Sequence, residues 1–262
     1  MKNKDKYLSH LNREEDQQLA GFILDQIEIV KKRKTEQFTD FLNPHQRKIS
    51  REIIEQFQEI NYLEDGGFQQ AERQRMGIFP DYLFPEHVNT PLVILEISGN
   101  FSFKNVRHND FLGAIMGLGL KRKKIGDILV LEEKTQVIVA EEVRDVLLFK
   151  LERVNEVPVE VVEIDRDEII VPTKNTKDIK ATVASMRLDA VASAGFGDSR
   201  SKISRDIKNK KVKLNWKPES DPAQDVSVGD IISIRRRGRV EVAQRRGVSN
   251  RGRIKLLLKR YT

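Results

Sequence analysis

The chain has 262 residues, of which 39% are hydrophobic and 33% charged, and it contains no cysteine. This length suffices for two or three small domains, and the absence of cysteine excludes disulfides, thiolate zinc sites and thiol nucleophiles. The positive charge is concentrated at one end. Residues 174–262 contain 23 Lys and Arg against 9 Asp and Glu, a net charge of +14, whereas the rest of the chain carries about −7. An acidic body joined to a basic segment is typical of a nucleic-acid-binding protein.

Residues 1–88 are predicted to form a mainly helical domain. Apolar residues recur at steps of three and four in residues 19–30 and again in residues 49–60, which indicates two amphipathic helices. Residues 1–16 are charged and have no apolar run that resembles a signal peptide, and no later stretch is long enough to span a bilayer. We therefore expect a cytoplasmic protein that makes no membrane contact.

Residues 89–166 are predicted to form a middle domain of the ferredoxin-like (RRM-like) type, which makes the chain an α+β protein. The hydrophobic pattern predicts, in order, strand 92–97, helix 110–118, strands 127–130 and 136–140, helix 143–154 and strand 159–164. The resulting order, β-α-β-β-α-β, is the split βαβ arrangement. This fold serves many functions, so the order alone assigns none. The Lys121–Lys124 cluster is open to two interpretations, a contact with RNA backbone or a solvated turn.

Residues 167–180 are polar and lack periodicity, which predicts a linker. Residues 181–262 are predicted to form a compact domain with a basic tail. Its expected elements are helices 183–194 and 199–209 and strands 211–216 and 230–235.

The second of these helices is the centre of the predicted binding surface. Ile203 and Ile207 are spaced to pack inward, and cations recur on the outer side. The basic residues of this patch are Arg200, Lys202, Arg205, Lys208, Lys210, Lys211 and Lys213. A solvated basic face is the alternative. RNA binding is favoured because the density of Arg continues from residue 235 to residue 253 with only Glu241 opposing it.

Four short motifs extend this hypothesis to a known domain. Arg187-Leu188-Asp189, Ser199-Arg200, residues 212–215 and residues 229–232 resemble the S4 RNA-binding domain, over about residues 182–242. The resemblance implies that Arg187, Asp189, Ser199, Arg200 and the basic helix face meet structured RNA, with Asp189 orienting Arg187.

The chain departs from the usual S4 pattern at Asn215-Trp216, where many S4 domains have Asn-Gly. A large side chain at this position argues against the tight hairpin turn, and we expect Trp216 to offer a stacking surface instead.

The whole chain is similar to the YlmH family of bacterial S4-domain proteins. Residues 107–119 and Lys124-Ile125-Gly126-Asp127-Ile128 resemble the signature of the family's middle domain. The resemblance implies binding to the large ribosomal subunit, with its 23S rRNA, and to tRNA. It further implies a role in ribosome-associated quality control, in which C-terminal tails are added to stalled nascent chains. We expect a monomer that is not an enzyme and that uses no cofactor or metal.

Two other classes of function remain open. Arg187-Leu188-Asp189 also resembles the sequence around the catalytic aspartate of pseudouridine synthases, which would make Asp189 a catalytic residue in an RNA-modifying enzyme. The Thr-x-Gly-Leu type of stretch that follows this aspartate in those enzymes is absent, since Ala190-Val191-Ala192-Ser193 stands here. The other alternative is a protein scaffold that uses the acidic N-terminal part.

Overall fold

The computed structural model describes residues 11, 13–101, 106–173 and 176–261. Most of the charged N-terminus considered above lies outside these residues. The described residues form two compact units, with the boundary between Pro172 and Thr173. The mixture of helices and antiparallel sheets confirms the predicted α+β class. Among the described residues, no helix has both the length and the apolar character needed to cross a bilayer.

Two helices begin the first unit, as predicted, but the second ends at Ile54, and Ile60 of its predicted apolar stripe is the first residue of a strand. Helix α1 (Glu14–Arg33) has acidic residues in its first turn and basic residues in its last, which complements the helix dipole. Helix α2 (Pro44–Ile54) begins with a capping box. In it, Gln46 N donates to Asn43 Oδ1 and Asn43 N donates to Gln46 Oε1, both at 3.0 Å. The side chains buried between the helices include Ile23, Leu24, Ile27, Ile53 and Ile54.

The same region also contains a three-stranded antiparallel sheet that the periodicity did not predict. Its strands are β1 (Gln37–Phe38), β2 (Ile60–Asp65) and β3 (Arg75–Pro80), in the order β1-β3-β2. All six residues of β3 are buried. A strand that is buried on both faces lacks the polar-apolar alternation by which strands are recognised, and β1 is too short to show a pattern.

The middle domain has the predicted β-α-β-β-α-β order. Its elements are β4 (Leu92–Gly99), α3 (His108–Gly117), β5 (Ile125–Val130), β6 (Lys134–Ala140), α4 (Arg144–Lys150), β7 (Arg153–Val154) and β8 (Val157–Ile164). Short 3-10 turns occur at Pro85–His87, Arg122–Lys124, Glu141–Val143 and Arg166–Glu168. The strand order β5-β6-β4-β8-β7, with all neighbours antiparallel, is the ferredoxin-like order with a short extra strand at one edge.

The second helix of this domain is shorter than the predicted span of 143–154. It ends at Lys150, and Arg153–Val154 instead pairs with β8 across a tight turn. Asn155 in that turn has a positive φ of 54°, a conformation that Asn tolerates better than most residues.

The N-terminal sheet region packs directly on the middle domain. Asp127 of β5 accepts hydrogen bonds from the backbone N–H groups of Glu72 and Arg73, at 2.6 and 3.1 Å. The Arg73 side chain in turn donates to the carbonyl oxygens of Ile125 and Phe41. Burial raises the pKa of Asp127 and lowers that of Arg73. These buried polar contacts join the two regions into one unit.

The second unit is a six-stranded antiparallel sheet with two helices packed on one face. Its elements are β9 (Thr176–Val183), α5 (Leu188–Phe196), α6 (Arg200–Lys208), β10 (Val212–Leu214), β11 (Lys217–Pro218), β12 (Ile231–Ile234), β13 (Gly238–Val248) and β14 (Ile254–Tyr261). The strand order is β11-β10-β12-β13-β14-β9. Side chains buried between helices and sheet include Val191, Ile203, Val240, Leu256 and Leu258.

Two predictions about this unit are corrected by the strand pairing. The linker predicted over residues 167–180 ends earlier, because residues from Thr176 onward form β9, which pairs with β14 along its whole length. For the same reason the helix predicted to begin at residue 183 begins at Leu188. Residues 174 and 175 of the predicted linker lie outside the described residues. The predicted basic tail is not a tail, since β13 and β14 form a long hairpin inside the sheet.

The β10–β11 turn corrects the expectation about Asn215-Trp216. The two residues form the tight turn, with positive φ values of 48° and 65°, between Leu214 and its partner Lys217. The Asn215 side chain fixes the turn, because its Oδ1 accepts from Ile231 N at 2.9 Å and its Nδ2 donates to Asp230 at 2.8 Å. Positive φ at both central residues is the geometry of a type I′ turn, which favours Gly at the Trp216 position.

We therefore predict that Trp216→Gly keeps the hairpin and leaves the free energy of unfolding unchanged or raises it by up to about 1 kcal/mol, because the left-handed conformation is strained for residues with a Cβ. Trp216→Val, with a β-branched side chain at the same φ, should lower it by about 1–2 kcal/mol. Denaturant unfolding followed by circular dichroism measures both, since the chain has no other Trp for fluorescence. A glycine variant less stable than the valine variant would contradict this account.

Candidate nucleic-acid interface

Two arginines and one aspartate form the centre of the predicted surface. Arg187 is the N-cap residue of α5, Asp189 lies in its first turn, and Arg200 is the first residue of α6. Arg187 Nε and Nη2 donate to the two oxygens of Asp189, at 3.3 and 3.2 Å. Arg200 Nη2 donates to Asp189 Oδ1 at 3.0 Å. The sequence reasoning expected Asp189 to orient Arg187, and the structure places Asp189 in contact with Arg200 as well.

The burial of this cluster is uneven. The Asp189 side chain is 5% exposed, whereas those of Arg187 and Arg200 are 39% and 50% exposed. Burial disfavours ionisation of Asp189, but the hydrogen bonds from Arg187 and Arg200 outweigh it, so the pKa of Asp189 lies below its usual value. An ionised, buried carboxylate therefore holds two guanidinium groups at the surface, where their other N–H groups face solvent.

Helix α6 carries the next set of cations. Ser199 caps the helix, with its Oγ accepting from Lys202 N at 3.4 Å. Ile203 and Ile207 are buried against the core, and Arg205 and Lys208 are exposed on the opposite side. Among the described residues, no carboxylate forms an ion pair with Arg205 or Lys208.

Two residues predicted to bind RNA, Lys202 and Ser199, form contacts with neighbouring residues at the start of α6. Lys202 Nζ lies 2.6 Å from Asp198 Oδ1, so its charge is partly neutralised. The Ser199 hydroxyl is engaged with its own helix and with Ser201. Their role in the geometry is to position the start of α6.

The remaining predicted cations follow the helix. Lys210 has a left-handed conformation, with φ of 55°, and ends α6 in a Schellman-type turn. In that turn Lys210 N donates to Ile207 O and Lys211 N donates to Asp206 O. Lys213 lies on β10 and is exposed, as are Lys210 and Lys211.

Sequence reasoning missed the role of Arg237, which it treated as one of many basic residues. Its guanidinium bridges Asp198 and Asp206, at 2.8 Å from each. Arg237 follows β12, whereas Asp198 precedes α6 and Asp206 lies in the last part of that helix, so this contact ties α6 to the sheet. Only the three-dimensional structure distinguishes it from its neighbours Arg235 and Arg236, which are exposed.

The sequence left open whether the Lys121–Lys124 cluster contacts RNA, and the structure shows that two of its lysines form ion pairs within the first unit. Lys123 and Lys124 contact Asp40, at 2.8 and 2.5 Å, and Lys124 also contacts Glu142 at 2.6 Å. Burial opposes ionisation of Asp40, but the bonds from these two lysines lower its pKa. The Lys121–Lys124 cluster is therefore in part a structural contact between the N-terminal region and the middle domain.

The middle-domain sheet offers no stacking platform on its two central strands. Neither β4 nor β6 carries an aromatic side chain. The face away from the helices is covered at Ile138 by Gly67, where a Cβ would lie 3.1 Å from Ile138 Cγ1. Gln136 on the same face is held by Glu168 O and by Ile170 N, at 3.0 and 2.8 Å. Within the described ranges, no group of three or more His, Asp and Glu side chains is arranged to hold a metal ion.

Comparisons with known proteins match the N-terminal region, the middle domain and part of the second unit. Family models match for "YlmH, N-terminal" at residues 15–83, for "Putative RNA-binding domain in YlmH" at 85–168 and for "S4 domain" at 186–232. The chain is 33% identical over 232 residues to "Ribosome-associated protein quality control protein P2" of Bacillus subtilis (strain 168), covering 88% of this chain and 90% of that protein.

A solved structure is also similar to part of the chain. It is "Cell division protein ylmH from Streptococcus pneumoniae", with a TM-score of 0.52 and 28% identity, covering 60% of this chain and 96% of that one. The S4 match contains Arg187, Asp189, Arg200 and the whole of α6.

The geometry of the arginine cluster predicts that Asp189→Asn weakens RNA binding by roughly three- to tenfold, although it makes the protein more positive. The amide has one acceptor oxygen in place of two, so it cannot hold both guanidinium groups in place. Fluorescence anisotropy with a labelled structured RNA at fixed ionic strength measures the change.

The matched control is Asp178→Asn, which alters the net charge equally at an exposed position of β9. If net charge alone sets the affinity, both variants bind more tightly than the wild type, and the positioning role of Asp189 is refuted.

Proposed function

Because the chain belongs to the YlmH family of S4-domain RNA-binding proteins, we propose that it binds the large ribosomal subunit and tRNA through its S4 domain. The process it serves is ribosome-associated quality control, in which stalled nascent chains receive C-terminal tails. The relative from Bacillus subtilis, whose name refers to this process, supports the proposal through its similarity over most of both chains.

The observation that carries the proposal is the cluster of Arg187, Asp189 and Arg200 beside an exposed basic helix face. A buried carboxylate that fixes two half-exposed guanidinium groups reduces the entropy lost when they bind a phosphate. Arg205 and Lys208 of α6 add charges that carboxylates of the described residues do not neutralise. Such a surface binds the backbone of folded RNA and recognises its shape more than its base sequence.

The geometry argues against the alternative of a pseudouridine synthase. A catalytic aspartate has to reach its substrate, but the Asp189 side chain is 5% exposed and both of its oxygens accept from arginines. Those contacts are suited to positioning the arginines, which is the role that the binding hypothesis gives to Asp189.

Sedimentation through a sucrose gradient tests the proposed function. We expect the wild-type protein to migrate with free large ribosomal subunits, and the Arg187→Ala, Arg200→Ala double variant to remain at the top of the gradient. The control is Lys32→Ala, Lys48→Ala, which removes the same charge from exposed positions of the two N-terminal helices. Nuclease treatment before sedimentation identifies any partner that is retained without RNA.

Three results would count against the proposal. If the wild type stays at the top, binding to the ribosome is refuted for that condition. If the double variant still migrates with large subunits, the arginine cluster is not the contact. Partners that survive nuclease treatment would favour the protein scaffold.

The salt dependence of binding tests Arg200 alone. If Arg200 contacts one phosphate, Arg200→Ala should reduce the magnitude of the slope of log K against log salt concentration by about one unit. Anisotropy titrations with bulk tRNA at several salt concentrations provide the slope. An unchanged slope and affinity would remove Arg200 from the binding surface.

A further inference from the structure

The hairpin of β13 and β14 lies outside the matched S4 segment, which ends at residue 232. Residues 242–261 contain seven Lys and Arg and no Asp or Glu. Strand β13 pairs with β12 only over Gly238–Glu241, whereas its pairing with β14 continues to Val248. The part of the hairpin after Glu241 therefore extends beyond Ile231, the first residue of β12.

The end of this hairpin, residues 245–253, has a defined conformation, and we name it the hairpin tip. Ser249 N donates to Arg253 O at 2.7 Å, and Gly252 N donates to Ser249 O at 2.9 Å. Arg253 N donates to Ser249 Oγ at 3.1 Å, and the Arg253 guanidinium donates to Thr182 O of β9 at 3.0 Å. These bonds close the turn and attach it to the neighbouring strand, so the tip presents its other side chains from a fixed backbone.

Three of those side chains are arginines directed to solvent. Arg245, Arg246 and Arg251 are exposed. The contact found for Arg246 is a hydrogen bond of 3.4 Å to Gln244, and in the described part of the chain none of the three forms an ion pair. Three like charges within seven residues give the tip a local positive charge, which phosphate groups bound nearby would stabilise.

The strand register places the hairpin tip at the same end of the sheet as the arginine cluster. Val183, the last residue of β9, pairs with Ile254 beside the tip, and Arg187 follows four residues later. The turn at Asn215 lies at this end too, because it is hydrogen-bonded to Ile231, the first residue of β12. The tip and the Arg187–Asp189–Arg200 cluster thus belong to one end of one sheet.

We propose that Arg245, Arg246 and Arg251 of the hairpin tip form a second contact with the phosphate backbone of the RNA that the S4 domain binds. The proposal rests on the proposed function. The guanidinium group binds phosphate oxygens in a bidentate manner, and the tip has no aromatic residue on which a base would stack. A further phosphate contact away from the S4 surface would add to the contacts that fix the orientation of the protein on the RNA.

The test compares three full-length variants with the wild type, using bulk tRNA and purified large ribosomal subunits as probes. Arg245→Ala, Arg246→Ala, Arg251→Ala should weaken binding about tenfold and reduce the magnitude of the salt slope by about two to three units. Replacing the same three residues with Lys keeps the charge and should retain most of the slope. The control variant is Lys32→Ala, Arg33→Ala, Lys48→Ala, which removes three exposed charges from the N-terminal helices.

Hydroxyl-radical footprinting of the bound RNA gives a second measurement. The alanine variant should lose protection at one group of nucleotides and keep it at those that depend on Arg187 and Arg200. An alanine variant that matches the control in affinity, slope and footprint overturns the proposal. It is also overturned if the alanine variant loses binding to anionic lipid vesicles while its RNA binding is unchanged.

The outcomes also separate this proposal from the proposed function. If the wild type binds tRNA through the tip but does not associate with large subunits, the ribosomal assignment fails and the tip contact stands. If the Arg187, Arg200 variant loses large-subunit binding while the tip variant keeps it, the tip contact fails and the proposed function stands.

Discussion

The pairing of β9 with β14 is the constraint on which the second unit depends. Eight residue pairs, from Ile254 with Val183 to Tyr261 with Thr176, join the strand that precedes the S4 segment to the strand that follows it. In the sheet, the strands of the matched segment (β11, β10 and the start of β12) lie on one side, and β13, β14 and β9, which lie outside the match, form the other side. This pairing determines where β9 ends, and so where Arg187 caps the start of α5, and it also supports the hairpin next to it.

In the second unit, buried or half-buried carboxylates hold particular arginines in place. Several of its few carboxylates contact specific arginines: Asp189 holds Arg187 and Arg200, and Asp198 and Asp206 hold Arg237. Acidic residues are thus used to fix particular guanidinium groups and to attach α6 to the sheet. The cations left on the outer side of α6 and on the hairpin retain their charge, which gives the unit a positive surface of defined geometry.

The sequence predicted the elements whose patterns are local. The amphipathic helices α1, α2 and α6 and the order of the middle domain were recognised because their periodicity reflects burial on one side. Strands β3 and β9 were missed for opposite reasons, since β3 is buried throughout and β9 is mostly exposed. The cations of α6 were predicted from spacing, and the link between Asp189 and Arg187 came from the S4 resemblance. The bridge made by Arg237 could not be predicted, because its partners lie 31 and 39 positions away in the chain.

The middle domain shows why a fold of the RRM type does not by itself define an RNA-binding surface. In such a sheet, bases stack on aromatic residues of the central strands. Here those strands carry aliphatic and polar residues, and Gly67 and residues 168–170 cover part of the face that would otherwise be open. The contacts made by Asp127 with Glu72 and Arg73 hold the N-terminal region beside that face. An RNA contact of this domain would therefore not involve bases stacked on aromatic residues of its two central strands.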